Sequence, residues 1–110
     1  MNSGHDVEDV VIDSTGSVFA DLGIDMSEED MFKVNIARAI SRIIQNAGYT
    51  QVEAARAMGL DQPKVSALVR GRLKGFTSER LIRCLLFLGW DIDIKVRKSA
   101  RERGSIKLVA

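Results

Sequence analysis

The sequence predicts a small, mainly α-helical domain of about four to five helices that ends in a short β-strand or hairpin. Two observations indicate the helices: apolar residues recur at helical spacing in four segments after residue 26, and a glycine stops three of those segments. Strict alternation of apolar and charged residues over residues 91–97 indicates the strand. A chain of 110 residues provides one hydrophobic core with short extensions, and too little sequence for two ordinary domains.

Composition and charge divide the chain into three parts. Residues 1–26 are predicted to be an acidic, mostly irregular arm, residues 27–90 the helical domain, and residues 91–110 a C-terminal strand region. The first 30 residues contain nine acids and no Lys or Arg, a charge of −9, whereas the remainder carries six acids against all sixteen bases, a charge of +10. The basic body predicts a polyanionic partner.

The first helix is predicted over residues 27–46. Ser27 is suited to cap it, and acidic residues follow in the first turn, where the partial positive charge of a helix N-terminus stabilises them. Gly48 ends the helix. The predicted buried stripe consists of Val34, Ala37, Ile40, Ile44 and Ala47.

Two short helices follow, with an abrupt stop between them. Thr50 caps the second helix, which runs through residue 58 and is stopped by Gly59. Asp61 caps the third, which reaches Arg70 and carries Pro63 in its first turn, where a missing backbone N–H costs little.

A basic loop over residues 71–76 leads to a leucine-rich fourth helix, which starts at Thr77 or Ser78 and ends at Gly89. The single cysteine, Cys84, lies among leucines in this helix and is interpreted as a small buried apolar residue. Oxidation sensing and pairing with another chain are the alternatives.

The residues Ile92, Ile94 and Val96 form the apolar side of the predicted strand and are candidates for a dimer interface. A lone strand is marginally stable in water, so it needs a helix beneath it or another chain beside it. Residues 105–109 are a second candidate strand, and the sequence leaves open whether pairing occurs within the chain, as a hairpin, or between two chains.

The short helices carry a specific combination of residues at their crossing. Two helices that cross steeply over a short connection need a small residue at the contact, a corner residue that tolerates positive φ, and a branched apolar residue that packs the second helix on the first. Ala55, Gly59 and Val65 have these properties at the required spacing, and Leu68 adds to the same core. An ordinary helical hairpin explains the glycine but not the combination.

Residues 50–71 resemble the helix-turn-helix of the phage-repressor-like family, often called XRE, whose fold is a lambda-repressor-like helix bundle. The matching positions are Thr50, Gln51, Glu53, Ala55, Gly59, Leu60, Val65, Ser66, Leu68 and Gly71. More narrowly, the order SVFADLG, a long helix, YTQVEAARAMGLDQPKVSALVRGRLKGFTSERL and LGWDIDIKV is similar to small XRE regulators of the HigA antitoxin type, a resemblance that spans residues 17–96. It implies a repressor that binds double-stranded operator DNA as a homodimer, and a RelE- or HigB-like ribonuclease toxin as a further partner.

The resemblance also implies which residues read bases. In this family the third helix lies in the major groove with its N-terminal residues at the base edges. Gln62 falls at a base-reading position, and its amide can pair with adenine. Lys64 and Ser66 lie further along the helix, and Ala67 can touch a thymine methyl group. Pro63 replaces a residue that is often polar in relatives, which leaves the recognised base sequence open.

Phosphate contacts are expected from the loop that follows. Arg70, Arg72 and Lys74 lie in a glycine-rich stretch that can approach a phosphate backbone closely. Gln51, at the start of the second helix, matches a phosphate-contacting position of the family. The alternative for each cation is a solvated surface charge, and the alternative for Gln62 is a solvated helix end.

Catalysis has little support in this sequence. His5 and Cys84 are its only histidine and cysteine, so neither a metal cluster nor a nucleophile with its base can be assembled from these residue types. We therefore expect no enzyme activity and no cofactor. No apolar run reaches the length of a membrane span and no signal peptide is recognised, so the expected location is cytoplasmic and nucleoid-associated.

The acidic arm allows three interpretations. It can lie on the basic surface of a ribonuclease toxin, with Val18, Phe19 and Leu22 as apolar contacts; it can fold back on the core of its own domain; or it can compete with DNA for the basic face. The first interpretation supports a second function class, a protein-interaction module whose main role is to neutralise a toxin.

Overall fold

The computed structural model describes residues 26–109, which contain four α-helices. Helix α1 spans Met26–Ala47, α2 spans Gln51–Met58, α3 spans Gln62–Val69 and α4 spans Ser78–Phe87. The four predicted helices are confirmed to within a few residues. Helix α1 packs against α3 and α4, and α2 also packs against both, so the short α2–α3 pair is held by the two outer helices.

The starts of α2, α3 and α4 are set by local hydrogen bonds. Thr50, Asp61 and Thr77 each accept a bond from the backbone N–H three residues later, at 3.1, 2.9 and 3.1 Å. These N-caps satisfy backbone groups that have no partner within the helix. Because each bond spans only three residues, the caps at Thr50 and Asp61 could be predicted from sequence, as could Thr77 for the fourth helix.

All four helices end in the same way. A glycine with positive φ follows each helix, and the next residue donates its N–H to the carbonyl five positions earlier. At the end of α2, Gly59 has φ 68°, and Leu60 N–H donates to the Ala55 carbonyl at 2.9 Å. A Cβ atom at Gly59 would meet no atom within 4 Å, so the backbone conformation and not space requires glycine there. The four glycines are Gly48, Gly59, Gly71 and Gly89.

The hydrophobic core lies where all four helices meet. Its largest fully buried apolar side chains are Ile36, Ile40, Met58, Val65, Leu68, Leu81 and Cys84. The buried stripe of α1 differs from the prediction, because it includes Phe32 and Ile36, while Val34 is half-buried and Ala47 is exposed. Both stripes have helical spacing, so the choice between them depends on where α3 and α4 pack, which the sequence of α1 does not encode.

The first turn of α1 is tied to two distant segments. The buried Ser78 hydroxyl, at the start of α4, donates to a Glu29 carboxylate oxygen at 3.5 Å. The backbone N–H of Ile106 donates to a Glu28 carboxylate oxygen at 2.9 Å. These carboxylates therefore join α1, α4 and the end of the chain, in addition to favouring the helix N-terminus.

The predicted C-terminal strand and hairpin are wrong for this single chain. Residues 91–109 form no strand and no backbone-to-backbone hydrogen bond with any described residue. Alternation makes a segment suitable for a sheet, but a strand exists only where a neighbour accepts and donates its ladder bonds. Instead, Ile92 and Leu108 pack against the helical core, and the segment between them is largely exposed. We call residues 91–109 the tail.

Cys84 is buried on α4, which confirms its interpretation as a small apolar residue. Burial raises the pKa of its thiol above the ordinary value, with Arg80 opposing the shift. The reactive thiolate form is thereby disfavoured.

The predicted acidic arm falls outside the described residues except for its last position. The apolar residues expected to contact a toxin, Val18, Phe19 and Leu22, also lie outside the described residues. Within residues 26–109, none of the helices combines the length and the apolar character that a membrane span requires.

Candidate nucleic-acid interface

The amino end of α3 protrudes into solvent. Asp61, Gln62 and Pro63 are all exposed, and the Asp61 carboxylate accepts the Lys64 N–H at 2.9 Å. Pro63 has φ fixed by its ring and occupies the first turn, where its missing N–H leaves no bond unmade. The backbone that carries Gln62 is therefore held from both sides while the Gln62 side chain remains accessible.

Helical geometry decides which residues of α3 face outward. Val65 and Leu68 are fully buried and so define the inward direction. At about 100° per residue, Pro63, Ser66 and Ala67 point away from that direction. Ser66 and Ala67 are half-buried, so of the predicted base-reading residues Gln62 is the most accessible.

Lys64 occupies a different position from the other predicted base-reading residues. Its side chain is half-buried, and its ammonium lies 5.6 Å from the centroid of the Phe76 ring, within the range of a cation–π contact. Phe76 is itself in the core. The Lys64 side chain therefore leaves α3 toward the loop that connects α3 to α4.

That loop presents three exposed cations. Arg70, Arg72 and Lys74 are all accessible to solvent. The loop is fixed at its far end, where the buried Phe76 donates its N–H to the Leu73 carbonyl at 2.9 Å. A short loop pinned in this way can hold cations near a phosphate backbone with little loss of backbone entropy on binding.

Gln51 is exposed at the first position of α2, where backbone N–H groups point out of the helix. One of the neighbouring donors is already used, because the Thr50 N–H donates to a Glu53 carboxylate oxygen at 2.8 Å. Hydrogen bonds from the Thr50 backbone and side chain lower the pKa of Glu53, so this carboxylate stays ionised. Phosphate contact at this helix end would rely on the Gln51 amide and the remaining N–H groups.

The helix-turn-helix residues occupy the crossing of α2 and α3. Ala55, Val65 and Leu68 are buried, and Gly59 forms the left-handed corner between the helices. The predicted dimer residues are separated: Ile92 packs on the core, whereas Ile94 and Val96 are 66% and 67% exposed. The side chains of a regular strand would share one face, and the tail lacks that regularity.

Sequence reasoning missed Phe76, a core residue that lies beside this surface. A local signal was present, because Phe76 directly precedes the N-cap Thr77 and Leu81 lies four residues after Thr77, the spacing of a hydrophobic staple. Both apolar residues are buried. The contact with Lys64, twelve positions earlier, has no comparable signal.

Comparison with known proteins identifies the fold. A family model described as a helix-turn-helix domain matches residues 18–97. The chain is similar to a solved structure named provisionally as an XRE family transcriptional regulator, with 40% sequence identity and a TM-score of 0.73, over 78% of this chain and 99% of that chain. No match was found among the curated proteins. The chain therefore belongs to the helix-turn-helix family of DNA-binding proteins, and within it to the XRE family of transcriptional regulators.

Proposed function

We propose that this regulator is a repressor that recognises its operator by inserting the amino end of α3 into the major groove. The observation that carries the proposal is the exposed, capped first turn of α3, which holds Gln62 on a fixed backbone. Ser66 and Ala67 would read bases further along the helix. Gln51, Arg70 and Arg72 would contact phosphates, which fix the register of the helix but carry no sequence information.

The test compares one base-reading residue with one phosphate-binding residue on duplexes selected from a random library. Gln62→Ala should lose about 1–3 kcal/mol of discrimination at one base position. Arg72→Ala should weaken all duplexes alike and reduce the salt dependence of binding. Fluorescence anisotropy against a panel of single-base variants measures both. Equal effects of Gln62→Ala on every duplex would contradict the proposed reading role.

The operator-bound form is proposed to be a homodimer, because one helix-turn-helix reads too few base pairs for useful specificity. The exposure of Ile94 and Val96 on a tail whose residues 91–98 lack backbone partners among the described residues supports pairing with a second copy. Val96→Lys should shift the sedimentation profile toward monomer at micromolar concentration. Val109→Lys, at another exposed tail position, is the matched control. A wild-type chain that sediments only as monomer would exclude this arrangement.

A finer proposal is that the regulator is a HigA-type antitoxin with a RelE- or HigB-like toxin as partner. The charge of −9 on residues 1–30 supports it, since a ribonuclease presents a basic surface to its substrate. Co-expression with the product of the neighbouring gene, followed by purification on a tag carried by one protein, tests the pair. If the proteins separate, the chain is a repressor without this partner.

We also propose that the chain acts by binding alone, without catalysis or a cofactor, in the cytoplasm and in association with the nucleoid. The basic charge of the body supports this location, because it favours DNA over other cytoplasmic surfaces.

Deleting residues 1–16 tests the role of the acidic arm. A rise in operator affinity would show competition with DNA, and unchanged affinity and salt dependence would exclude it.

A further inference from the structure

We infer that Phe76 is a positioning residue for DNA binding: it holds the Lys64 ammonium beside the α3–α4 loop, where Lys64 contacts a phosphate and does not read a base. This inference rests on the proposed function and deepens it. It also reassigns Lys64, which the sequence placed among the base-reading residues.

The direction of the Lys64 side chain follows from the geometry of α3. Val65 and Leu68 set the inward direction, and Lys64 emerges about 70° from it, whereas Pro63 points almost opposite, about 170° away. Lys64 therefore emerges on one flank of α3 and not from its outer face. The backbone of Lys64 is also fixed, because its N–H donates to the Asp61 cap at 2.9 Å.

Phe76 gives this flank a rigid aromatic surface. Its side chain is only 4% exposed, and its N–H is bonded to the Leu73 carbonyl, so the ring belongs to the core and not to a mobile loop. The Lys64 ammonium lies 5.6 Å from the ring centroid. The negative face of an aromatic ring attracts a cation at this distance. The long lysine side chain is thereby restrained before DNA arrives.

Restraint in the free protein has a consequence for binding. A free lysine side chain loses rotamer entropy when it is immobilised at an interface, and prior restraint reduces that loss. Residue 76 lies at the far end of the loop that carries Arg70, Arg72 and Lys74, so the ring places the Lys64 charge on the same side of α3 as the loop. A phosphate contact there raises affinity for every sequence and adds to counterion release.

The first experiment separates a phosphate contact from a base contact. Lys64→Met keeps the length of the side chain and removes the charge. On a selected duplex and on a scrambled duplex of equal composition, both affinities should fall by the same factor, and the slope of log K against log salt should become shallower by about 0.9. Loss of discrimination at one base pair, with an unchanged slope, would overturn the reassignment.

The second experiment tests the ring. Phe76 is replaced in the full chain by phenylalanines with one, two or three ring fluorines, which weaken the negative face with little change in volume. Affinity for the selected duplex should fall stepwise, by about two- to five-fold in total. In the Lys64→Met background the series should be flat. Equal losses in both backgrounds, or affinity that rises with fluorination, would overturn the role of Phe76.

A measurement without DNA keeps this inference separable from the proposed function. In the free protein, the ring current of Phe76 should shift the ε-methylene protons of Lys64 upfield in the NMR spectrum, and Phe76→Leu should abolish the shift. An absent shift in a folded protein would overturn the inference. A normal shift in a protein that binds no duplex would instead refute DNA binding, and with it the inference.

Discussion

Residues 26–90 and the tail, residues 91–109, both carry apolar residues at regular spacing, but they differ in what that spacing achieves within one chain. In the helical body, apolar residues at helical spacing meet in a shared core, and helix backbones bond internally. In the tail, Ile94, Val96 and Val109 remain exposed, and the backbone finds few partners among described residues. The comparison shows that periodicity identifies residues that can be buried together, whereas burial itself requires a second surface.

Truncation of one large apolar side chain should reveal the largest difference in unfolding free energy between the helical body and the tail. Leu81→Ala removes a fully buried side chain of α4, and unfolding free energy should fall by about 2–5 kcal/mol. Ile94→Ala makes the same kind of change at an exposed tail position and should alter stability by less than about 0.5 kcal/mol at low protein concentration. Urea denaturation followed by circular dichroism measures both. Comparable losses would mean that the tail belongs to the core.

Substitution of a glycine by alanine should produce the next largest difference in stability between the helical body and the tail. Gly59 has φ 68°, and an alanine there should cost about 1–2 kcal/mol because its Cβ crowds the following carbonyl in this conformation. Gly104 in the tail lacks positive φ and has open space around it, so Gly104→Ala should change stability by no more than about 0.5 kcal/mol. Thermal and urea unfolding of the two variants check this pair. A harmless Gly59→Ala would show that the corner can adopt another backbone conformation.

Loss of a side-chain cap should have a smaller effect. Thr50→Ala removes the acceptor for the Glu53 N–H at the start of α2 and should lower the unfolding free energy by about 1 kcal/mol. Ser99 accepts the Arg101 N–H at 3.0 Å in a similar local bond, but no helix follows it. Ser99→Ala should therefore leave the urea midpoint unchanged. A midpoint shift in Ser99→Ala as large as that in Thr50→Ala would remove the distinction between the regions.

The smallest predicted effect concerns pH. The hydrogen bonds from Thr50 lower the pKa of Glu53 in the folded state, so its ionised form stabilises the fold. That contribution is present above the unfolded pKa and is lost as pH falls through the lowered folded pKa. Glu53→Gln should therefore flatten the acid side of the stability profile, measured as urea midpoint against pH. The tail variant Glu102→Gln is the control, and identical profiles for both variants would refute the assignment to Glu53.

Much of the fold could be predicted because the responsible contacts are local. The side chains of Thr50 and Asp61 each accept a hydrogen bond from the N–H three residues later. Gly59 allows the Leu60 N–H to donate to the Ala55 carbonyl, five residues earlier. The accessible position of Gln62 at the start of α3 follows from the same short-range rules. Two features could not be predicted, because each depends on contact between segments that are far apart in sequence. These are the burial of Phe32 and Ile36 on α1 and the cation–π contact of Lys64 with Phe76.

The sequence by itself determined where helices begin and end, because capping and glycine chemistry act within a few residues, and it determined the helix-turn-helix crossing through Ala55, Gly59 and Val65. Only the tertiary structure decided which side of α1 is buried, how Lys64 is directed, and that residues 91–97 form no strand within the chain. The physical reason is the range of the interactions. Helical hydrogen bonds close within one segment, whereas side-chain burial, a cation–π contact and a strand ladder each require a neighbour supplied by a distant part of the chain or by another chain.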